Sequence, residues 1–231
     1  MKNIIRSHDN LYLKENRYEN PKDNFLFLVK LLKNEIKKNK NYTLLDVGCA
    51  NGELLYLLRK KFKNVKLSGL DIRKDLLLKA KKKLGDNINF FRKDIFKKTL
   101  NQKFDFVICS AVIGITDNPK KFLMNLIKMK KKGGFVYLSH NFNEYDFNVY
   151  VKCEKLDKKN FFECGWNIFS LKYIKSVCSN YKVKFFKFVI KKKIFPNKLD
   201  KLRSWTVKVD NENCFINGLS ILFKQYWIKI Y

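Results

Sequence analysis

The chain has 231 residues, 46% of them hydrophobic, and a formal net charge of +29. That apolar fraction excludes a disordered chain, and the length suits one domain, 1–231, with a substantial core. No apolar run reaches the roughly 18 residues of a membrane-spanning helix, and Met1–Asp9 lacks a signal-peptide core, so a cytoplasmic location is expected.

Cys49, Cys109, Cys153, Cys164, Cys178 and Cys214 form no C-x-x-C pair, which speaks against a zinc site and a disulfide framework. The charge admits a nucleic acid or an anionic surface as partner. Only six of the 50 basic residues are Arg, however, and Arg is the side chain whose planar fork grips phosphate. Compositional bias therefore explains the charge more simply.

Residues 1–19 are polar, with Tyr12 and Tyr18 interspersed. Asn20-Pro21-Lys22-Asp23 then reads as a helix start. Phe25, Leu28, Val29, Leu32 and Ile36 give that helix one apolar face as far as about Lys38. These residues, 1–40, form an N-terminal cap and helix; a core of 41–140 follows.

Thr43–Val47 has strand character and runs into a loop holding Gly48 and Gly52, followed by a helix ending near Phe62. Val65–Asp71 is a second strand, Arg73–Leu84 a helix, Ile88–Asp94 a third strand and Phe104–Ser110 a fourth. Asp117-Asn118-Pro119 caps a helix to about Lys132, Gly133-Gly134 turns the chain, and Phe135–Leu138 is a fifth strand.

Residues 141–169 are aromatic and polar without a clear period. In 170–231, Ser170 caps a helix from Leu171 to Ser179, and Lys182–Phe195 contains a strand. A hairpin is expected around Trp205–Val209, and a last strand starts at Gly218.

Strands alternating with helices predict a Rossmann-like, doubly wound α/β fold. We expect seven strands, mostly parallel, with an antiparallel C-terminal strand and helices on both faces. Ligands in such sheets bind beyond the carboxyl ends of the strands, where Gly48, Asp71, Asp94, Ser110 and Ser139-His140 fall. The loop reads Asp46-x-Gly48-x-x-x-Gly52, not the G-x-G-x-x-G of a dinucleotide site. A carboxylate two residues before the first glycine repels a pyrophosphate and suits a ligand carrying an amine and a sulfonium.

This loop, Asp71, Asp94, the Phe104-Asp-Phe-Val-Ile108 strand and Lys131-Lys132-Gly133-Gly134 together resemble class I S-adenosylmethionine (SAM) methyltransferases over residues 43–140. The resemblance implies SAM as cofactor and S-adenosylhomocysteine as product. By position it implies Asp46 near the methionine amine, with Gly48, Cys49, Asn51 and Gly52 wrapping the methionine part. It implies Asp71 on the ribose, Ile72 on adenine, Asp94 with Ile95 at the adenine amine, and Ser110 by the methionyl group. Without the loop, Asp71 and Asp94 would read as helix N-caps.

No metal is implied. His140 is the candidate general base, because imidazole titrates near neutrality; a hydrogen-bonded loop histidine is the plainer reading. Residues 1–20 and 141–169 are candidates for a lid, although Phe is more often core. No Asn-Pro-Pro-Tyr-like element follows the fourth strand, which disfavours a DNA amino-methyltransferase. Lys37-Lys38, Lys60-Lys61, Lys81–Lys83 and Lys130–Lys132 read as helix ends, facing away from the cofactor. Lys191–Lys193 could receive a phosphate-bearing acceptor.

The leading reading is transfer of a methyl group to O or N of a small polar acceptor. Gly165–Ser170 is similar to enzymes that methylate sugars or surface-polysaccharide precursors. An RNA methyltransferase and a non-catalytic SAM-binding subunit are the alternatives.

Overall fold

The segment Tyr42–Val47 is buried on nearly every side chain, which a strand achieves only in the middle of a sheet covered on both faces. In this computed structural model, which describes residues 3–5, 7–154, 156, 161–196, 204–217 and 224–231, it is the second strand of the chain. Before it come β1 (Asn3–Ile5), α1 (Leu11–Lys14) and α2 (Asp23–Lys33); it is itself β2 (Tyr42–Val47). Then follow α3 (Glu53–Lys61), β3 (Val65–Asp71), α4 (Lys74–Leu84), β4 (Asn89–Arg92), β5 (Phe104–Ser110) and α5 (Pro119–Lys128). Next are β6 (Lys130–Asn143), β7 (Lys152–Glu154), β8 (Phe161–Cys164), β9 (Phe169–Ser170) and α6 (Leu171–Val177). The last strands are β10 (Val183–Phe188), β11 (Trp205–Val209), β12 (Glu212–Ile216) and β13 (Lys224–Ile230).

The main sheet has the order β10-β13-β6-β5-β2-β3-β4, with β9 paired to β6 off that path. Strands β4, β3, β2, β5 and β6 are parallel, and β13 is antiparallel to both β6 and β10. The seven strands of the path answer to the sequence expectation; the two-residue β9 is the addition. The chain goes outward through β3 and β4, then returns to the other side of β2 as β5. The switch point between β2 and β5 is where doubly wound sheets leave a crevice.

Two apolar layers cover the sheet. On one face Leu45, Val47 and Val107 pack under α5 and α6 with Phe122, Leu126 and Phe142. On the other, Leu44, Phe106, Tyr137 and Trp227 pack under α2, α3 and α4 with Leu28, Leu55 and Leu77.

Three local details depart from expectation. Helix α2 begins at Asp23, not Asn20, because Lys22 is extended and its carbonyl takes the Phe25 N–H at 2.9 Å; α2 also ends at Lys33, so Lys37-Lys38 lie beyond it. Lys130–Lys132 do not end a helix. They open β6, where the pairing with β5 slips between Phe104 and Phe106, a bulge that absorbs Gly133-Gly134. Strand β4 stops at Arg92, leaving Asp94 in the following turn.

The expected hairpin exists as β11–β12. Asp210 and Asn211 both have positive φ, as a two-residue turn between twisted strands requires. The final strand is described only from Lys224; the expected start at Gly218 lies outside the described residues.

Strand β1 pairs in parallel with β8, and β8 with β7, so the N-terminal segment and the 152–164 segment form one small sheet. No helix among the described residues is long and apolar enough to cross a membrane.

Trp227 joins the last strand to the first full helix. It is fully buried, and its indole N–H donates to the Asn24 carbonyl at 3.1 Å. Trp227→Ala removes that packing and the indole hydrogen bond, and is expected to lower stability by about 3–5 kcal/mol. Trp227→Phe, which loses mainly the hydrogen bond, should lose about 1 kcal/mol. Urea unfolding followed by circular dichroism measures both.

Candidate functional site

A cavity of about 260 Å³ opens at the carboxyl ends of β2, β3 and β5. Its floor is the loop after β2, shaped by backbone rather than side chains. Gly48 has φ +74°, a region that disfavours residues with a Cβ, and a Cβ there would also overlap Val112 Cγ2. Ala50 and Ala111 line the cavity with φ +47° and +63°, uncommon for residues other than glycine.

The loop is stapled to β3. The Gly48 and Cys49 N–H groups donate to the Leu70 carbonyl at 2.7 and 3.0 Å, and Ala50 N–H donates to Asp71 Oδ2 at 2.9 Å. Gly52 N–H closes on the Cys49 carbonyl at 2.8 Å. The free donors expected of such a turn are therefore largely used inside the fold. An anion-binding nest needs several N–H groups pointing at the ligand. This loop presents small side chains and a carboxyl instead.

That carboxyl is Asp46, the penultimate residue of β2. It lines the cavity, is 3% exposed, and accepts no hydrogen bond from the described residues. Burial, with the Asp71 carboxyl nearby, pushes it up to about 8. Asp71, at the end of β3, is also raised by burial. The Arg73 and Ala50 N–H bonds, 2.9 Å each to its two oxygens, pull the other way. Burial likewise raises the thiols of Cys49 and Cys109.

Next to Asp71, Ile72 is 57% exposed yet lines the cavity, a flat apolar surface held open to solvent. Asp94 and the buried Ile95 stand beyond it, with Asp94 Oδ1 turning the chain through the Phe96 N–H at 2.9 Å. Ser110 lines the opposite side.

The residues expected from sequence thus converge, with two exceptions. Gly52 is not in the wall. At φ +83° it caps α3, and its missing Cβ lets Leu84 and Ala80 of α4 pack close, the nearer atom 2.7 Å from where a Cβ would be. His140 is not in the wall either. It is buried on the α5–α6 face of β6, its Nε2 3.0 Å from the Asn167 carbonyl and pressed against Gly114. The plainer reading, a hydrogen-bonded loop histidine, has the hydrogen bond right, but the residue stands within β6 and not in a loop.

Several wall residues lie away from the loop and strand ends that the sequence pointed to first. Asp9 and Tyr12 come from the N-terminal segment, Lys22, Asn24 and Phe25 from the start of α2, and Gln225 from β13. The N-terminal segment is tied down over the loop. Asn51 donates to the Tyr12 carbonyl at 3.0 Å, and Tyr18 OH to the Asn51 carbonyl at 2.8 Å. Arg17 N–H donates to Glu53 at 2.9 Å, and Lys79 Nζ donates to the Tyr12, Leu13 and Glu15 carbonyls. Expecting residues 1–20 near the site needed only their aromatics; the tethers were not readable. The described residues of the aromatic stretch 141–169 supply none to the wall. No cluster of His, Cys, Asp or Glu among the described residues is arranged to hold a metal ion.

The model of the methyltransferase-domain family matches residues 38–201, and the chain belongs to that family. A malonyl-[acyl-carrier protein] O-methyltransferase of Ilyobacter polytropus is 30% identical over 120 residues, 51% of this chain and 45% of the relative. The chain spans about half the length of the curated relatives it matches. Among solved structures, coclaurine N-methyltransferase bound to S-adenosylhomocysteine superposes with a TM-score of 0.58 at 17% identity, covering 71% of this chain and 51% of that one. Magnesium protoporphyrin IX methyltransferase from Synechocystis PCC 6803, with bound SAM, gives 0.54 at 14%, covering 90% and 78%. These likenesses share the fold described above.

Two expectations follow. Gly48→Ala should lower stability by at least about 1–2 kcal/mol from the left-handed backbone alone. A Val112→Ala background relieves the overlap but not that strain, so thermal melts of the single and double variants separate the two. Asp46 is held above its ordinary carboxyl range, so its contribution to stability is fully present below about pH 4 and is lost as pH rises to about 8. Ligand-free Asp46→Asn should therefore gain on the wild type across that window, read as a Tm difference that widens with pH and then levels off.

Proposed function

We propose that this chain is a SAM-dependent methyltransferase acting on an oxygen of a small carboxylic acid. The observation that carries the cofactor part is the pair of acids on adjacent strand ends. One, Asp46, is buried, lines the cavity and has no hydrogen-bond partner among the described residues. The other, Asp71, keeps acceptor capacity beyond its two backbone bonds and stands beside the exposed Ile72. An ammonium, a pair of ribose hydroxyls and a flat purine fit these three features in that order. A phosphate finds the Gly48, Cys49, Ala50 and Gly52 N–H groups of the loop already used, and meets carboxyls beside them.

Bound there, SAM supplies an electrophilic methyl group on a sulfonium. This chain's own residues hold the acceptor in line and exclude water, which is where much of a methyl transfer rate originates. Tyr12 and Phe25 are apolar walls on the acceptor side, with Lys22 Nζ 5.3 and 5.5 Å from their ring centres. Asn24, Ser110 and Gln225 offer neutral hydrogen-bonding groups.

The choice of a carboxylic acid rests on what the wall lacks. Among the described residues no histidine lines it, and its carboxyls crowd the cofactor end. A hydroxyl or an ammonium acceptor needs a base within reach. A carboxylate is already nucleophilic at neutral pH and is attracted by Lys22. The name of the malonyl-[acyl-carrier protein] O-methyltransferase relative supports the same class.

A sugar or nucleotide-sugar acceptor has no such support. Gly165–Ser170, the stretch that suggested it, lies outside the cavity wall, and Asn167 holds His140. Lys191–Lys193 offer an outer contact for a charged acceptor, since Lys192 is 3.3 Å from Asp23, next to the wall residue Asn24. The RNA reading is weakened because Lys60-Lys61 and Lys81–Lys83 do occupy the last turns of α3 and α4, away from the cavity.

The test is a screen with radiolabelled methyl groups, offering dicarboxylic acids and malonyl thioesters beside nucleotide sugars and total RNA. Carboxyl methyl esters release volatile methanol in alkali. Label that resists alkali, or goes to sugar or RNA, overturns the carboxylic acid reading. Asp71→Ala should weaken S-adenosylhomocysteine binding roughly 10- to 100-fold by calorimetry, the scale of a hydrogen bond to a charged group.

A further inference from the structure

We propose that Asp46 makes cofactor binding a proton-releasing event: its carboxylic acid is neutral in the ligand-free cavity and gives its proton to solvent when an ammonium group docks against it. The inference rests on the cofactor reading above and adds a property of this chain's own residue.

The geometry carries it. Asp46 is 3% exposed, faces the cavity, and receives no N–H or O–H from the described residues. Its neighbour Asp71 shows the contrast, with two backbone donors on its oxygens. A buried carboxylate without donors or a counter-charge is strongly disfavoured, and such a group takes up a proton instead.

The groups facing Asp46 do not change this. From β3 comes the Asp71 carboxyl, itself under the influence of Asp9 of the N-terminal segment. From the loop and from β5 come the thiols of Cys49 and Cys109, both shifted up by burial. Glu53 of α3 is occupied by Arg17 N–H and the Asn51 amide. Lys22 and Lys93 share the cavity wall, and neither forms an ion pair with Asp46. Apart from those two lysines the groups named are acidic or neutral, and burial with the Asp71 carboxyl holds Asp46 up at about 8.

An ammonium placed against this carboxyl reverses the balance. The O–H bond of Asp46 breaks, the proton leaves to buffer, and the carboxylate pairs with the positive charge. One proton is released for each ligand that carries the ammonium. A ligand with the same nucleoside but no amino acid part leaves Asp46 protonated. The site thereby discriminates between the two by charge and by pH.

The sign follows from linkage. Below the ligand-free value the protein must lose a proton to bind, so affinity rises with pH. Between pH 6 and 7.5 the rise should approach tenfold per pH unit, the limit for one proton.

The experiment is titration calorimetry of the whole chain with S-adenosylhomocysteine in phosphate and in Tris at pH 7, whose ionisation heats differ. The expected result is release of close to one proton per ligand, with affinity climbing from pH 6 to 7.5. 5′-Methylthioadenosine, which lacks the ammonium, should bind with no proton release and no such climb. Asp46→Asn should bind S-adenosylhomocysteine more weakly and without proton release. If that variant does not fold, the wild-type buffer series decides alone. Binding of S-adenosylhomocysteine with equal heats in both buffers overturns this inference and leaves the cofactor reading intact. No binding of either nucleoside overturns both.

Discussion

Everything about this site depends on three backbone N–H groups that end on β3. Gly48, Cys49 and Ala50 leave the end of β2 and turn back onto Leu70 and Asp71. That fixes the loop against the neighbouring strand, holds Gly48 in a conformation that a Cβ disfavours, and positions Asp71 by its own side chain. It also removes the donors that an anion would use. The main chain thus leaves fewer donors for an anion before any side chain is counted, and Asp46 adds an acid to the same wall.

Buried acids of this kind make the ligand-free fold less stable than it could be. Asp46 and Asp71 are both pushed up by burial, and only one has compensating hydrogen bonds. Apolar cores on both sides of the sheet offset this, with Leu44, Leu45, Val47 and Val107 shielding β2 and β5 completely. A left-handed Ala50 and Ala111 add backbone strain at the same place. Strain and uncompensated charge gather at one end of an otherwise regular sheet, where a ligand can relieve them.

The sheet was legible because each strand is a short apolar run with an acid or a serine at its end, and each helix a run with apolar spacing of three and four. Asp46, Gly48, Asp71, Asp94 and Ser110 sit at strand ends, and strand ends are what a sequence shows. Side-chain direction within an end was less visible. His140 follows the fifth strand as well as any residue, yet the alternation of β6 sends it to the α5–α6 face, away from the cavity. Gly52 looked like a ligand contact by spacing, but the packing of α4 uses its missing Cβ. Gln225 and Asn24 could not be found at all. They meet because Trp227 bonds α2 across a separation of 203 residues, and no local pattern records that. Lys130–Lys132 misread for a simpler reason: a bulge lets a lysine run begin a strand.

The cover over the loop has a consequence for how the chain assembles. Residues 9–18 find their partners at Asn51, Glu53 and Lys79, β1 pairs with Phe161–Cys164, and Asn24 waits for Trp227. A chain that emerges from the ribosome in order makes this segment early and can seat it only late. The sheet from β2 to β6 has local connections and can form while the N-terminal segment is still unpaired. The cavity is thus the last part of the molecule to acquire its walls, and partly made chains expose its acids to water until the final strand arrives.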